Sequence, residues 1–193
     1  MVRPGGGAHA GPMTTTTKTT RPTDLPAATL RADAAELRRL ALRALSKRSF
    51  AVLSTVSHAG FPHAAGVVYD TVDTTLYVHT LRSSRKARNV AGYDRVAVVV
   101  PVRRVPVGPP FSIQFQGRAR VVAMDDPEIL RLVEAGRLPS TTKHGALDEP
   151  DGCFLRIEPV GVLHTYGLGV SVMAVARDPL HVGAGSVRLD STS

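Results

Sequence analysis

The chain has no tryptophan, and aromatic residues make up 5% of its 193 positions. That leaves few flat rings for an aromatic platform that would stack single-stranded bases. It has one cysteine, Cys153, so no intrachain disulfide can form. The residue stands in the alternating run Gly152-Cys153-Phe154-Leu155-Arg156-Ile157, where it reads as a small buried apolar side chain and not as a reactive thiol. No apolar run approaches the length of a membrane-spanning helix, and the N-terminus lacks the apolar core of a secretory signal. The expected location is the cytoplasm, with no membrane partner. None of the seven histidines forms a close pair at metal-ligand spacing and no acid cluster joins them, so no metal site is expected. A Gly-x-Ser-x-Gly elbow is missing, and Gly167-x-Gly169 lacks the spacing and context of a dinucleotide fingerprint. Paired acids at Asp125/Asp126 and Asp148/Glu149 read as a helix cap and a solvated loop.

What is present is positive charge, unevenly placed. The chain carries a net +8. Residues 82–104 alone hold Arg82, Arg85, Lys86, Arg88, Arg95, Arg103 and Arg104 against Asp94, a local +6. Such a segment suits an anionic ligand. No helix-turn-helix, zinc-finger or basic-zipper pattern accompanies it, so a nucleic-acid partner is not expected.

Residues 1–28 are rich in Gly, Pro and Thr and read as a disordered tail, in which Met13 is an alternative start. An apolar stripe of Leu30, Ala34, Leu37, Ala41 and Leu45 predicts a helix over 30–47 capped by Thr29. Strands are predicted at 50–57 and 61–69, both flanked by turns, then at 75–80 and 95–102. The 50–57 and 95–102 strands read as buried. Residues 103–110 form a Pro-rich loop. From Phe111 to Met124 the alternation is clean: Phe111, Ile113, Phe115, Gly117 and Ala119 share one face, Ser112, Gln114, Gln116, Arg118 and Arg120 the other. Asp126-Pro127-Glu128 starts a helix that ends near Gly136. Two last strands are predicted, at 152–158 and 161–166, and 177–193 reads as a loose tail. Consecutive hairpins with short helices make this a mainly β (α+β) antiparallel barrel over residues 29–176.

One stretch carries chemistry: His79-Thr80-Leu81-Arg82-Ser83-Ser84-Arg85-Lys86-Ala87. It reads as a strand end, a loop and a helix start. Ser84 can cap the helix. Free amides at a helix start favour an anion, Thr80, Ser83 and Ser84 offer hydroxyls, Arg85 a planar fork and Lys86 a point charge. Lys86 is one of only four lysines against twenty arginines. Taken alone, such a run is more often a capped, solvated surface turn.

In order and spacing, the segment from about Phe50 to Val122 resembles the pyridoxamine 5′-phosphate oxidase-like family of flavin-binding split β-barrels, with a looser likeness to Leu168. The resemblance implies a split β-barrel of antiparallel strands that binds FMN at the interface of a homodimer and acts as an oxidoreductase on a small-molecule substrate. It assigns phosphate binding to Arg85 and Lys86, aided by Thr80 and Ser84. It sets His63 and Val67, His79, and Ser112 and Gln114 along the cofactor. Members using a deazaflavin, and others binding haem, leave those cofactors open, and a non-catalytic flavin or haem binder is a further alternative. For haem, His79 or His164 would be the axial ligand. No residue stands out as catalytic acid or base. Ala64 and Tyr69 stand where true pyridoxamine phosphate oxidases carry Arg and Lys, and the C-terminal Arg-x-His motif is missing, which speaks against vitamin B6 as substrate.

Overall fold

The two ends of the sheet are consecutive in the chain. In the computed structural model, which describes residues 32–103 and 111–189, the elements run α1 (Ala34–Lys47), β1 (Phe50–Val56), β2 (Pro62–Val68), β3 (Asp70–Val72), β4 (Thr75–Leu81), α2 (Arg85–Gly92), β5 (Arg95–Val102), β6 (Phe111–Ala123), α3 (Pro127–Glu134), β7 (Gly152–Tyr166), α4 (Val172–Arg177), α5 (Pro179–Val182) and β8 (Ala184–Arg188). The strand order is β2-β1-β5-β6-β7-β4-β3, with β8 also paired to β7, and every pairing is antiparallel. Only Tyr69 separates β2 at one edge from β3 at the other, so the sheet must curl into an incompletely closed barrel.

Tyr69 is fully buried at this corner. Its amide donates to Ser49 O and its hydroxyl to Leu45 O, at 2.8 and 2.9 Å. The second bond ties the corner to the C-terminal end of α1, whose Leu37, Ala41 and Leu45 face the core. Burial pushes the Tyr69 hydroxyl well above the usual phenol range.

The main core lies inside the curl, with Leu53, Val78, Val98, Val100, Ile113, Leu155 and Leu163 at its centre. A second cluster covers the outer face of β4, β6 and β7: Tyr77, Val122 and Phe154 pack with Ile129 of α3 and Leu138. There the Tyr77 hydroxyl donates to Glu128, which also takes bonds from Arg120 and Arg156.

Most predicted elements are present with ends within two residues, and β6 alternates as read from Phe111 to Arg120. Other expectations change. Asp33, whose carboxylate accepts from Glu36 N, caps α1, which starts at Ala34; Thr29 and Leu30 lie outside the described residues, as do the 1–28 tail and most of the 103–110 loop. The turn expected at 70–74 includes the short strand β3. β1 and β5 are buried on one face only, since Phe50, Ala97 and Pro101 are exposed. The two last strands are one, β7: Gln114 pairs with His164 and Gln116 with Val160, so β7 has extra residues there, with Gly161 at φ +75°. The break that Pro159 and Gly161 signal is a bulge that bends the strand and does not end it. The expected loose tail from 177 contains α5 and β8, and β8 pairs with β7 from Val162 to Tyr166.

Removing the corner hydroxyl with Tyr69→Phe should lower unfolding stability by about 1 kcal/mol, and Tyr69→Ala by roughly 4 kcal/mol, as measured by urea denaturation.

Candidate cofactor site

β4 ends at Leu81, and two turns of helix follow after three residues. Ser84 caps α2 from an extended backbone: its hydroxyl accepts from Ala87 N at 3.3 Å. It also lies 3.2 Å from the hydroxyl of Thr80, a buried residue at the end of β4. Either hydroxyl can donate to the other, so the pair has one hydroxyl hydrogen to spare for a ligand. The amides of Arg85 and Lys86, in the first helical turn, have no acceptor within the helix. Arg85 is exposed and Lys86 half-buried. The structure therefore brings Thr80, Ser84, Arg85 and Lys86 into one cradle of donors and cations.

Ser83, also offered by the sequence as a donor, is engaged elsewhere. Its amide and hydroxyl both donate to Asp151 Oδ2, at 3.0 and 2.5 Å. Its carbonyl accepts from the Arg88 guanidinium. The Ser83 hydroxyl, then its amide, hold the Asp151 carboxyl below the usual carboxylate range. Sequence reasoning missed Asp151, reading the acids of this loop as solvated. Its one local signal is its place directly before Gly152, which opens the strand paired to β4.

β2 touches β4 without pairing to it. β3 pairs with β4 in the register Asp70↔Tyr77. Continued past Tyr69, that register sets Val67 toward Thr80 and His63 toward Ser84, but β2 turns away to pair with β1. β4 beyond Tyr77 is thus left without a strand partner on its β2 side, beside the cradle. Helix α2 packs on β1 at its end, where Asn89 Nδ2 donates to Thr55 Oγ1 at 2.9 Å, both side chains being buried. His63 faces Thr55 across the β1–β2 pair, and its buried Nδ1 has no hydrogen-bond partner among the described residues.

The remaining sequence candidates lie apart. His79, next to Thr80, points to the opposite face of β4. Its ring meets Phe154 edge-on with centroids 5.4 Å apart, and its Nε2 is buried without a partner against the Gly152 turn. Burial holds its pKa below the usual histidine range, with Glu149 pulling weakly the other way. Ser112 and Gln114, bonded to each other at 3.1 Å, are on the outer face of the sheet. The β6 residue in register near Thr80 is Ala123, through Cys153; Gln114 is nine residues back, roughly 30 Å along the strand. One chain does not bring them to the cradle.

The middle rows of that outer face carry no charged residue, whereas Arg95, Arg118 and Glu158 form the row at its end. Rows run Gly66–Val52–Val99–Gln114–His164 and Ala64–Ser54–Ala97–Gln116–Val160 across β2, β1, β5, β6 and β7. It holds two adjoining clefts of about 500 and 560 Å³. His164 borders the second and also a cleft of about 470 Å³ against α1 and β8. No group of metal-ligating side chains occurs among the described residues, and no helix among them is long and apolar enough to cross a membrane.

The family model described as pyridoxamine 5′-phosphate oxidase matches residues 27–165. The chain belongs to that family. None of the curated proteins compared matches it. Among solved structures, the haem storage protein HutZ of Vibrio cholerae superposes with a TM-score of 0.57 at 18% identity, covering 66% of this chain and 92% of that one. General stress protein 26 of Bacillus anthracis gives 0.51 at 21%, over 67% and 93%. A putative pyridoxamine 5′-phosphate oxidase of Listeria innocua gives 0.51 at 22%, over 64% and 94%. These likenesses establish the split-barrel fold.

His79 yields a test. With its folded pKa depressed, it contributes stability that is present above the unfolded value of about 6.5 and is lost as pH falls toward the folded one. His79→Leu, which removes the orphaned nitrogen, should flatten the pH dependence of unfolding below about pH 6.5 and raise stability there by roughly 1 kcal/mol, as read by denaturation at a series of pH values.

Proposed function

We propose that the chain is an FMN-binding oxidoreductase acting as a homodimer on a small molecule, with the flavin phosphate seated on Thr80, Ser84, Arg85 and Lys86. The observation that carries this is the cradle itself: a capped helix start with the Thr80 and Ser84 hydroxyls 3.2 Å apart, two amides in the first helical turn and two cations, beside the unpaired end of β4. A phosphate matches that donor set. The unpartnered His63 Nδ1 and the Val67 side of β2 give the rest of the cofactor a polar contact and an apolar wall. When bound, the flavin supplies the hydride transfer; the chain holds its phosphate, orients it and keeps water from its buried edge.

Ser112 and Gln114 join this site from a second copy, because a single chain holds them on its outer face. The small and apolar rows there suit a self-complementary contact. His79 is left out of the cofactor set, since its ring lies on the opposite face of β4 from Thr80, against Phe154. Vitamin B6 is not the substrate: Tyr69 is a corner residue whose hydroxyl is taken by Leu45 O, and Ala64 offers no charge.

The cradle reads the phosphate alone, so a deazaflavin, with the same phosphate-bearing ribityl chain, fits it equally. A haem, on this chain, would lie instead against His164 between the two clefts it borders. The absorbance spectrum of the purified protein, with mass spectrometry of what heat releases, separates these: a two-band flavin spectrum with an FMN mass supports the proposal, a deazaflavin mass shifts the cofactor, a Soret band selects haem. A colourless protein that takes up none of the three removes the oxidoreductase reading.

Arg85→Ala with Lys86→Ala should weaken FMN retention at least ~100-fold at unchanged melting temperature, since each charge-assisted contact is worth about 1.5–3 kcal/mol; wild-type retention would sink the assignment. Ala97→Arg should give a monomer by light scattering and lose bound cofactor with it. A variant that stays dimeric would place the interface elsewhere.

A further inference from the structure

The turn that precedes β7 grips the loop that precedes α2. Asp151 Oδ2 accepts from Ser83 N and Ser83 Oγ, and Asp151 O accepts from Arg82 N at 2.7 Å. Three donors from two consecutive residues thus converge on one residue of the turn before another strand. Behind them, Leu81 and Gly152 close the β4–β7 ladder. From the other side, the Arg88 guanidinium binds Ser83 O. Ser83 is thereby fixed through its amide, its side chain and its carbonyl. The next residue is Ser84, whose cap bond and extended backbone set where Arg85 and Lys86 begin the helix.

We propose that Asp151 is the positioning residue of the cofactor site: through Ser83 it holds the β4–α2 loop in the shape that presents the α2 start to a phosphate. The proposal rests on the phosphate-cradle reading above. Asp151 makes no contact with the anion, and a carboxylate would repel one. It acts by taking Ser83 out of the donor set and locking its backbone, so that the cradle is formed before the ligand arrives. The charged and titratable groups facing this contact are Arg82 from the loop, Arg88 of α2 on Ser83 O, Cys153 from β7 and Glu149 from its own turn. Because the Ser83 bonds favour the charged form, the clamp is complete above the ordinary aspartate pKa of about 3.9 and opens only as pH falls below it.

The test uses the full chain and two readouts. Amide hydrogen exchange over residues 82–84 reports on the loop without any cofactor, and FMN titration reports on the cradle. Asp151→Ala should speed exchange at Arg82 and Ser83 and raise the FMN Kd, each about tenfold, with the melting temperature within ~2 °C. Asp151→Asn, which keeps an accepting oxygen, should recover part of both. Ser83→Ala should raise the Kd, and adding Asp151→Ala to it should cost less than Asp151→Ala does in wild type, because the two residues act as one unit. Unchanged exchange in Asp151→Ala overturns the clamp, as do additive Kd effects or a loss of affinity that merely follows a fall in melting temperature. If the wild-type chain takes up neither FMN nor a deazaflavin, the phosphate-cradle reading fails, while the exchange result still decides whether Asp151 orders the loop.

Discussion

The structure depends on one geometric demand: a single strand run must serve both edges of the sheet. Residues 62–68 pair with β1 and residues 70–72 pair with β4, with one residue between to make the change. A buried side chain anchored to another element is needed there, and Tyr69 meets both conditions through Leu45 O. Because the run leaves β4 at that point, the barrel cannot close by hydrogen bonds along its whole length. An unpaired end of β4 is the geometric remainder of that transfer. The cradle sits beside it because β4 ends where β2 has already gone.

The same curl gives the sheet two faces with different duties. Inside is the apolar core. Outside, α3 covers the β4–β7 portion through Tyr77, Phe154 and Ile129, and the Glu128 carboxylate is held below its usual range: burial alone would raise it, but Tyr77, Arg156 and Arg120 outweigh that. Such a fully bonded polar group fixes where the helix lies without leaving an unpaired charge. Among the described residues, the β1–β5–β6 portion has no such cover. A face of Val, Ala, Ser and Gly without charges in its middle rows is costly to leave against water, and that same portion carries Ser112 and Gln114.

Much of this was legible in the sequence because it is local. Ser84 ahead of Arg85, the Asp126-Pro127-Glu128 start and the alternation from Phe111 to Arg120 depend only on nearby residues, and each appears as read. What failed depends on distant partners. Pro159 and Gly161 look like a strand end, but β6 continues alongside and turns the break into a bulge. Residues from 177 onward look like a tail because their strand has value only as a partner for β7. His79 and Thr80 are adjacent in sequence, so motif reasoning kept them together; strand alternation puts them on opposite faces. Asp151 is 68 residues from Ser83, and nothing near it in the chain names that partner.

β7 has a consequence for how the molecule is made. It pairs with β6 along nearly its whole length, with β4 over Gly152–Ile157 and with β8 over Val162–Tyr166. Pairings that span more than seventy residues form slowly, since chain entropy is lost before contacts compensate. Until β7 arrives, β4 has an open edge and the loop after it has no Asp151 to hold. During synthesis from the N-terminus, the ribosome has released the entire β4–α2 segment long before the strand that shapes it emerges. The segment therefore takes its final shape late, only in a chain whose C-terminal third is already in place.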